Sequence, residues 1–201
     1  MSLWGKLRKQ IVAVVFVAVW ARAVGVGVSV MLRYAYTPGR LAAATKEWPA
    51  GAGIEPAGGR ATLIVFAHPQ CPCSRATIAE LAKIITCCRQ DVDATVFFYL
   101  PSADARDWMA TDLWRSAERI PGVRVMADVR GAEARRFGAR TSGQTMLFDA
   151  GRRLVFNGGI TAARGHYGDN DGEADIVALL RGQSPAQRKT PVFGCALTET
   201  D

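Results

Sequence analysis

The sequence predicts an α/β domain, a central mixed sheet with flanking helices, carried behind one apolar N-terminal helix. Three observations carry this. Apolar runs of strand length alternate with segments of helical spacing across residues 60–182. Two short apolar runs joined through Asp149-Ala150-Gly151-Arg152 follow late and read as a hairpin. Ile11 to Leu32 is 22 residues long with one charge, Arg22. A hydrophobic content of 49% and a charged content of 21% fit a globular chain.

The N-terminal run comes first. A helix of 22 residues is about 33 Å long, enough to cross a bilayer core. A mid-helix arginine costs about 2.5–3.5 kcal/mol on insertion scales, and the apolar residues on both sides of Arg22 offset it. Lys6, Arg8 and Lys9 precede the run, which places the N-terminus in the cytoplasm and the bulk of the chain outside. This predicts a basic cytoplasmic N-terminus at 1–10 and a transmembrane signal anchor at 11–32, single-pass in the inner membrane. The domain then lies on the periplasmic or extracytoplasmic side. A cleaved signal peptide is the alternative, but the nearby small-residue sites are poor. Thr37-Pro38-Gly39 breaks the helix, and 33–59, rich in Ala, Gly and Pro, reads as a linker.

The elements of the domain follow in order. Ala61–Phe66 is an apolar run suited to a buried parallel strand. Ser74–Cys88 places Ile78, Leu81, Ala82, Ile85 and Cys88 at helical spacing. Ala94–Leu100 is a second buried strand ended by Pro101. Arg106–Ile120 reads as a helix, with Asp104 as a cap, Pro121-Gly122 as its stop, and Trp108, Met109 and Trp114 as core residues. Val123–Ala127 is a strand and Gly131–Phe137 a short helix closed by Gly138. Thr145–Phe148 and Leu154–Asn157 form the hairpin. Asp175–Arg181 is the last helix, with 172–174 leading in, and 183–201 is a tail. The order βαβαβαββα fits several α/β folds.

Four of the seven net positive charges lie in residues 1–32, leaving three for the rest. That balance, with no basic cluster interleaved with aromatics, argues against nucleic-acid binding.

His68-Pro69-Gln70-Cys71-Pro72-Cys73-Ser74 joins the first strand to the first long helix of the domain. Open α/β sheets place their sites at such strand ends. A cysteine at a helix start meets unpaired N–H groups and the positive end of the helix dipole, and both favour thiolate. A Cys71–Cys73 disulfide would close a very small, strained and therefore oxidising ring. Cys195 is either a packed tail residue or a third sulfur brought to the same site. Cys87 and Cys88 read as structural, since Ser74 to Cys87 spans about 20 Å of helix. His68 is a base, a metal ligand or a loop-shaping residue. His166 lies in a Gly-rich polar loop that is either functional or a plain turn.

Phe66 followed five positions later by Cys71 resembles the strand-to-cysteine spacing of thioredoxin-like proteins. Val123–Asp128, Ala134–Gly138 and Thr145–Asp149 are similar to the second half of membrane-anchored members of that superfamily. The resemblance covers about residues 60–182 and implies a thioredoxin-like domain there. It aligns Cys71 with the family's attacking cysteine and Ser74 with the second cysteine of Cys-x-x-Cys. Four strings resemble the RedB group: His68–Arg75, Thr111–Ser116, Gly158–Thr161 with Arg164-Gly165-His166, and Thr190–Cys195. Two departures stand out. Without Cys-x-x-Cys the resolving thiol must be Cys73 or Cys195, and Ser142-Gly143-Gln144-Thr145 has no proline where the family has a cis-proline.

The resulting expectation is a thiol–disulfide oxidoreductase working through Cys71, Cys73, Ser74 and Cys195, with thiols and disulfides as partners and no cofactor. The alternative is a copper(I)-binding or metal-delivery module using Cys71 and Cys73 with His68 or Cys195. A third class is a non-catalytic partner module.

Overall fold

The computed structural model describes residues 3–41, 44–56 and 58–198. The chain divides into two units, one ending at Tyr36 and one beginning at Thr37. The first is a single helix, α1 (Leu3–Tyr36). Within it, Lys6–Tyr36 is 31 residues long, reaches a mean hydropathy of 2.3 and buries none of its apolar window inside the protein. It is long and apolar enough to cross a membrane.

The second unit is built on β1 (Ala61–Ala67), α2 (Ser74–Cys88), β2 (Val92–Leu100), α3 (Arg106–Met109), α4 (Asp112–Glu118) and β3 (Val123–Val129). It continues with α5 (Ala132–Phe137), β4 (Gln144–Phe148), β5 (Leu154–Gly158) and α6 (Asp171–Leu180). The sheet order is β3-β2-β1-β4-β5. β1 pairs in parallel with β2, and β2 with β3. β4 runs antiparallel to both β1 and β5. The most apolar strand, β1, is therefore central, as a strand covered on both faces must be.

Side chains alternate across β1, so the two faces feed two cores. Leu63, Val65 and Ala67 face the side covered by α2, α4 and α6, where Ile78, Leu81, Trp114 and Ile176 pack. Ile64 and Phe66 face the other side, with Phe97, Phe137, Met146 and Phe148. Phe66 stacks on Phe97 with ring centroids 5.5 Å apart.

Several expectations need correction. The helix expected over 106–120 is broken into α3 and α4, because Thr111 is itself an N-cap whose side chain accepts the Trp114 N–H. The break turns Met109 outward (40% exposed), whereas Trp114 stays in the core. Asp104 makes no side-chain cap, since Ala105 occupies that position. The segment 33–59 is not a free linker throughout. Trp48 packs edge-on against Phe137 and Phe148, and Ile54 is buried in the second core. The tail is docked as well. Asp175 accepts the N–H groups of Ala186 and Gln187, Thr190 Oγ1 donates to Gly159 O, and Val192 O accepts from Gly39 N.

Candidate functional site: three sulfurs at the start of α2

The central strand ends at Ala67, and the chain turns over Pro69 and Pro72 into α2. Backbone bonds Cys71 N–H to His68 O and Ser74 N–H to Cys71 O wind this turn. Cys73 is the N-cap residue of α2, and no side chain caps that end. The Cys71 sulfur also takes a backbone hydrogen bond from Ser74, the first residue of α2. Cys71 is 3% exposed and Cys73 7%, while Cys195 is half-buried.

The neighbours of Cys71 come from distant parts of the chain. Its Sγ lies 3.1 Å from Cys195 Sγ. Ser74 Oγ lies 2.6 Å from Ser142 Oγ in the loop before β4. Ser142 Oγ also accepts the His68 N–H at 2.7 Å, which ties both ends of the cysteine turn to one hydroxyl. Gly143 holds φ +92, and a Cβ there would press on Thr77 Oγ1 at 2.9 Å. Glycine is thus required for the loop to pass α2 and present Ser142.

The tail enters this loop by backbone pairing. Ser142 N–H donates to Cys195 O at 2.8 Å, and Leu197 N–H donates to Arg140 O at 3.0 Å. Thr141 and Ala196 form an antiparallel bridge. Arg164 Nη1 donates to Gly194 O at 2.5 Å.

The electrostatics separate the thiols. Burial pushes the Cys71 thiol up, but hydrogen bonds from Cys195 and Ser74, side chain and backbone, outweigh it and hold Cys71 below its ordinary value. Cys195 is pushed up to about 12, first by burial and then by its hydrogen bond and charge interaction with Cys71. The contact between the two sulfurs thus sets them apart, Cys71 lowered and Cys195 raised. Burial, then the Cys71 charge, raises Cys73, against the pull of Arg164.

Of the residues expected at the site, Cys71, Cys73, Ser74 and Cys195 come together. His68 sits beside them with its ring against Tyr99 and Trp108, centroids 5.5 and 5.1 Å away, and its Nδ1 accepts the Gln70 N–H. That nitrogen is engaged by backbone. Among the described residues no group of three or more His, Cys, Asp or Glu side chains is arranged to hold a metal ion. His166 is exposed. Cys88 is buried and Cys87 exposed, their sulfurs 3.1 Å apart at the far end of α2.

Sequence reasoning did not single out Ser142 and Arg164. Ser142 lies in the stretch before β4 that has no proline, and Arg164 lies in the Gly-rich loop that holds His166. A lone arginine in a glycine-rich loop was the available signal.

No protein-family model matches the chain, and no curated protein matches it. Solved structures do. A hypothetical protein of Sinorhizobium meliloti is 25% identical with a TM-score of 0.56, covering 82% of this chain and 95% of its own. An uncharacterized conserved protein of Geobacillus kaustophilus is 19% identical with a TM-score of 0.54, covering 82% and 93%. A secreted disulfide oxidoreductase of Mycobacterium tuberculosis aligns more loosely, at 14% identity and a TM-score of 0.43 over 61% and 83%. With three parallel strands, an antiparallel hairpin and cysteines where the central strand hands over to its helix, the fold of residues 60–182 is thioredoxin-like.

Proposed function

We propose that the chain is a thiol–disulfide oxidoreductase held in the inner membrane by α1, with its domain on the periplasmic or extracytoplasmic side. The observation that carries this is the Cys71–Cys195 pair: sulfurs 3.1 Å apart, one thiol lowered and the other raised. A lowered thiol beside a protonated one is the arrangement a nucleophile and its resolving partner need.

The Cys71 thiolate attacks one sulfur of a substrate disulfide. The other substrate sulfur leaves as a thiolate and a mixed disulfide forms. Cys195, losing its proton to the departing sulfur, attacks Cys71 Sγ. The products are a Cys71–Cys195 disulfide and a fully reduced substrate, two electrons having passed to it. Both Cys195 and Cys73 contact the Cys71 sulfur, but Cys195 suits resolution better because 124 positions separate it from Cys71, whereas a Cys71–Cys73 bond would close a very small ring. An external dithiol returns the protein to its starting state. Ser74 and Ser142 position Cys71 through their shared hydrogen bond.

The test uses the full chain in detergent and a peptide disulfide. Wild type should reduce the peptide, Cys71→Ser should lose at least about 100-fold, and Cys195→Ser should accumulate a mixed disulfide visible by mass spectrometry. Wild-type turnover by Cys71→Ser would overturn the proposal. Recovery of a Cys71–Cys73 bond as the product would move resolution to Cys73.

A further inference from the structure

The tail does more than deliver a sulfur. Cys195 and Ala196 run antiparallel to the loop 140–142, held by the two backbone hydrogen bonds of the bridge between Thr141 and Ala196, with the chain bending at Gly194 and Leu197 on either side. Pairing of this kind recognises the backbone of an extended strand and is largely indifferent to its side chains. The one cysteine in the segment is placed directly on Cys71. In composition and pairing the segment is a short cysteine-bearing peptide held by its backbone beside Cys71.

We propose that Gly194–Leu197 is a displaceable internal stand-in for substrate, and that the substrate is an extended, cysteine-bearing polypeptide that takes the tail's place on Arg140–Ser142. This rests on the oxidoreductase reading and adds a substrate class and a gate. Docked, the tail leaves Cys71 only 3% exposed and occupies the backbone groups of Ser142 and Arg140. An incoming polypeptide cannot pair with those groups until the tail lifts. Once the mixed disulfide has formed, the tail's return brings Cys195 onto Cys71 and expels the substrate from the same edge. Gate and resolving step are then one motion.

Two residues hold the tail down. Gly194 lies so close that a Cβ there would overlap the Ser142 carbonyl oxygen, so Gly194→Ala forces this stretch away from the loop. Arg164 fixes Gly194 O from the other side, so Arg164→Met, which keeps the length but removes the donor, loosens the same point. Neither change touches the sheet.

The probe is a fluorescent octapeptide, Pro-Val-Phe-Gly-Ser-Ala-Leu-Thr, the tail sequence with serine for cysteine, so that its binding is independent of sulfur chemistry. Anisotropy is measured under reducing conditions on the full chain, with circular dichroism confirming each variant's fold. Both variants should bind the peptide at least about 10-fold more tightly than wild type, and a scrambled peptide should not bind. Equal affinity for all three proteins, or no binding to either folded variant, would overturn the proposal. Disulfide turnover without peptide binding would sink the stand-in and leave the oxidoreductase reading intact. Peptide binding with no turnover would support the stand-in and sink that reading.

Discussion

Cys71 and Cys195 form an asymmetric pair, and the asymmetry has a pH signature. Folding holds Cys71 below its unfolded value of about 8.5, so Cys71 contributes stability above that pH and loses it as pH falls through the lowered value. Cys195 is the reverse: its contribution is full below about 8.5 and is lost as pH rises through its raised value of about 12. Alkylation of Cys71, followed by mass spectrometry across pH, should therefore show a midpoint below the ordinary thiol range. Cys195→Ala removes a hydrogen bond that lowers Cys71, so the midpoint should rise; an unchanged midpoint would show that Ser74 and the helix start suffice. Ser142 makes a second residue-scale case. It is fully buried, and its hydroxyl serves both the His68 N–H and Ser74 Oγ. Ser142→Ala leaves the half-buried His68 N–H without that acceptor and should cost about 0.5–1.5 kcal/mol in urea unfolding.

At the scale of elements, the strands and α2 were legible because their signals are local. The unbroken apolar run of Ala61–Ala67 and the spacing of Ile78, Leu81 and Ile85 depend on neither partners nor topology. Contacts made across long separations were not legible. Nothing periodic in residues 183–198 indicates that the tail pairs with the loop before β4, so Cys195 was one candidate of two and its partner could not be chosen. The segment around Trp48 hid for a similar reason: its Ala, Gly and Pro content reads as flexible, while Trp48, Ile54 and backbone bonds to Arg152 and Leu154 anchor it. Trp48→Ala should cost about 2–3 kcal/mol, toward the low end for a large aromatic because Trp48 is only half-buried. A loss under about 0.5 kcal/mol would show that the segment rides on the surface. The break at Thr111 was readable in principle, since a threonine followed by Asp112 is an N-cap signal. The apolar spacing of Trp108 and Trp114 carried across it and masked the cap.

At the scale of the molecule, the chain couples an apolar helix to a domain with its own two-sided core. Every hydrogen bond and ring contact described for the sulfur site comes from residues after Tyr36. The cores likewise draw on residues from Ala44 onward. The domain therefore has what it needs to fold without α1. Removing residues 1–36 should give a soluble protein with the same urea midpoint, within about 0.5 kcal/mol, and the same Cys71 alkylation midpoint as the full chain in detergent. The full chain should sediment with membranes and resist extraction by high salt, because burial of a 31-residue apolar helix is not screened by ions. Salt extraction of the full chain would mark the attachment as electrostatic and remove the anchor. A truncated domain that unfolds would overturn this prediction.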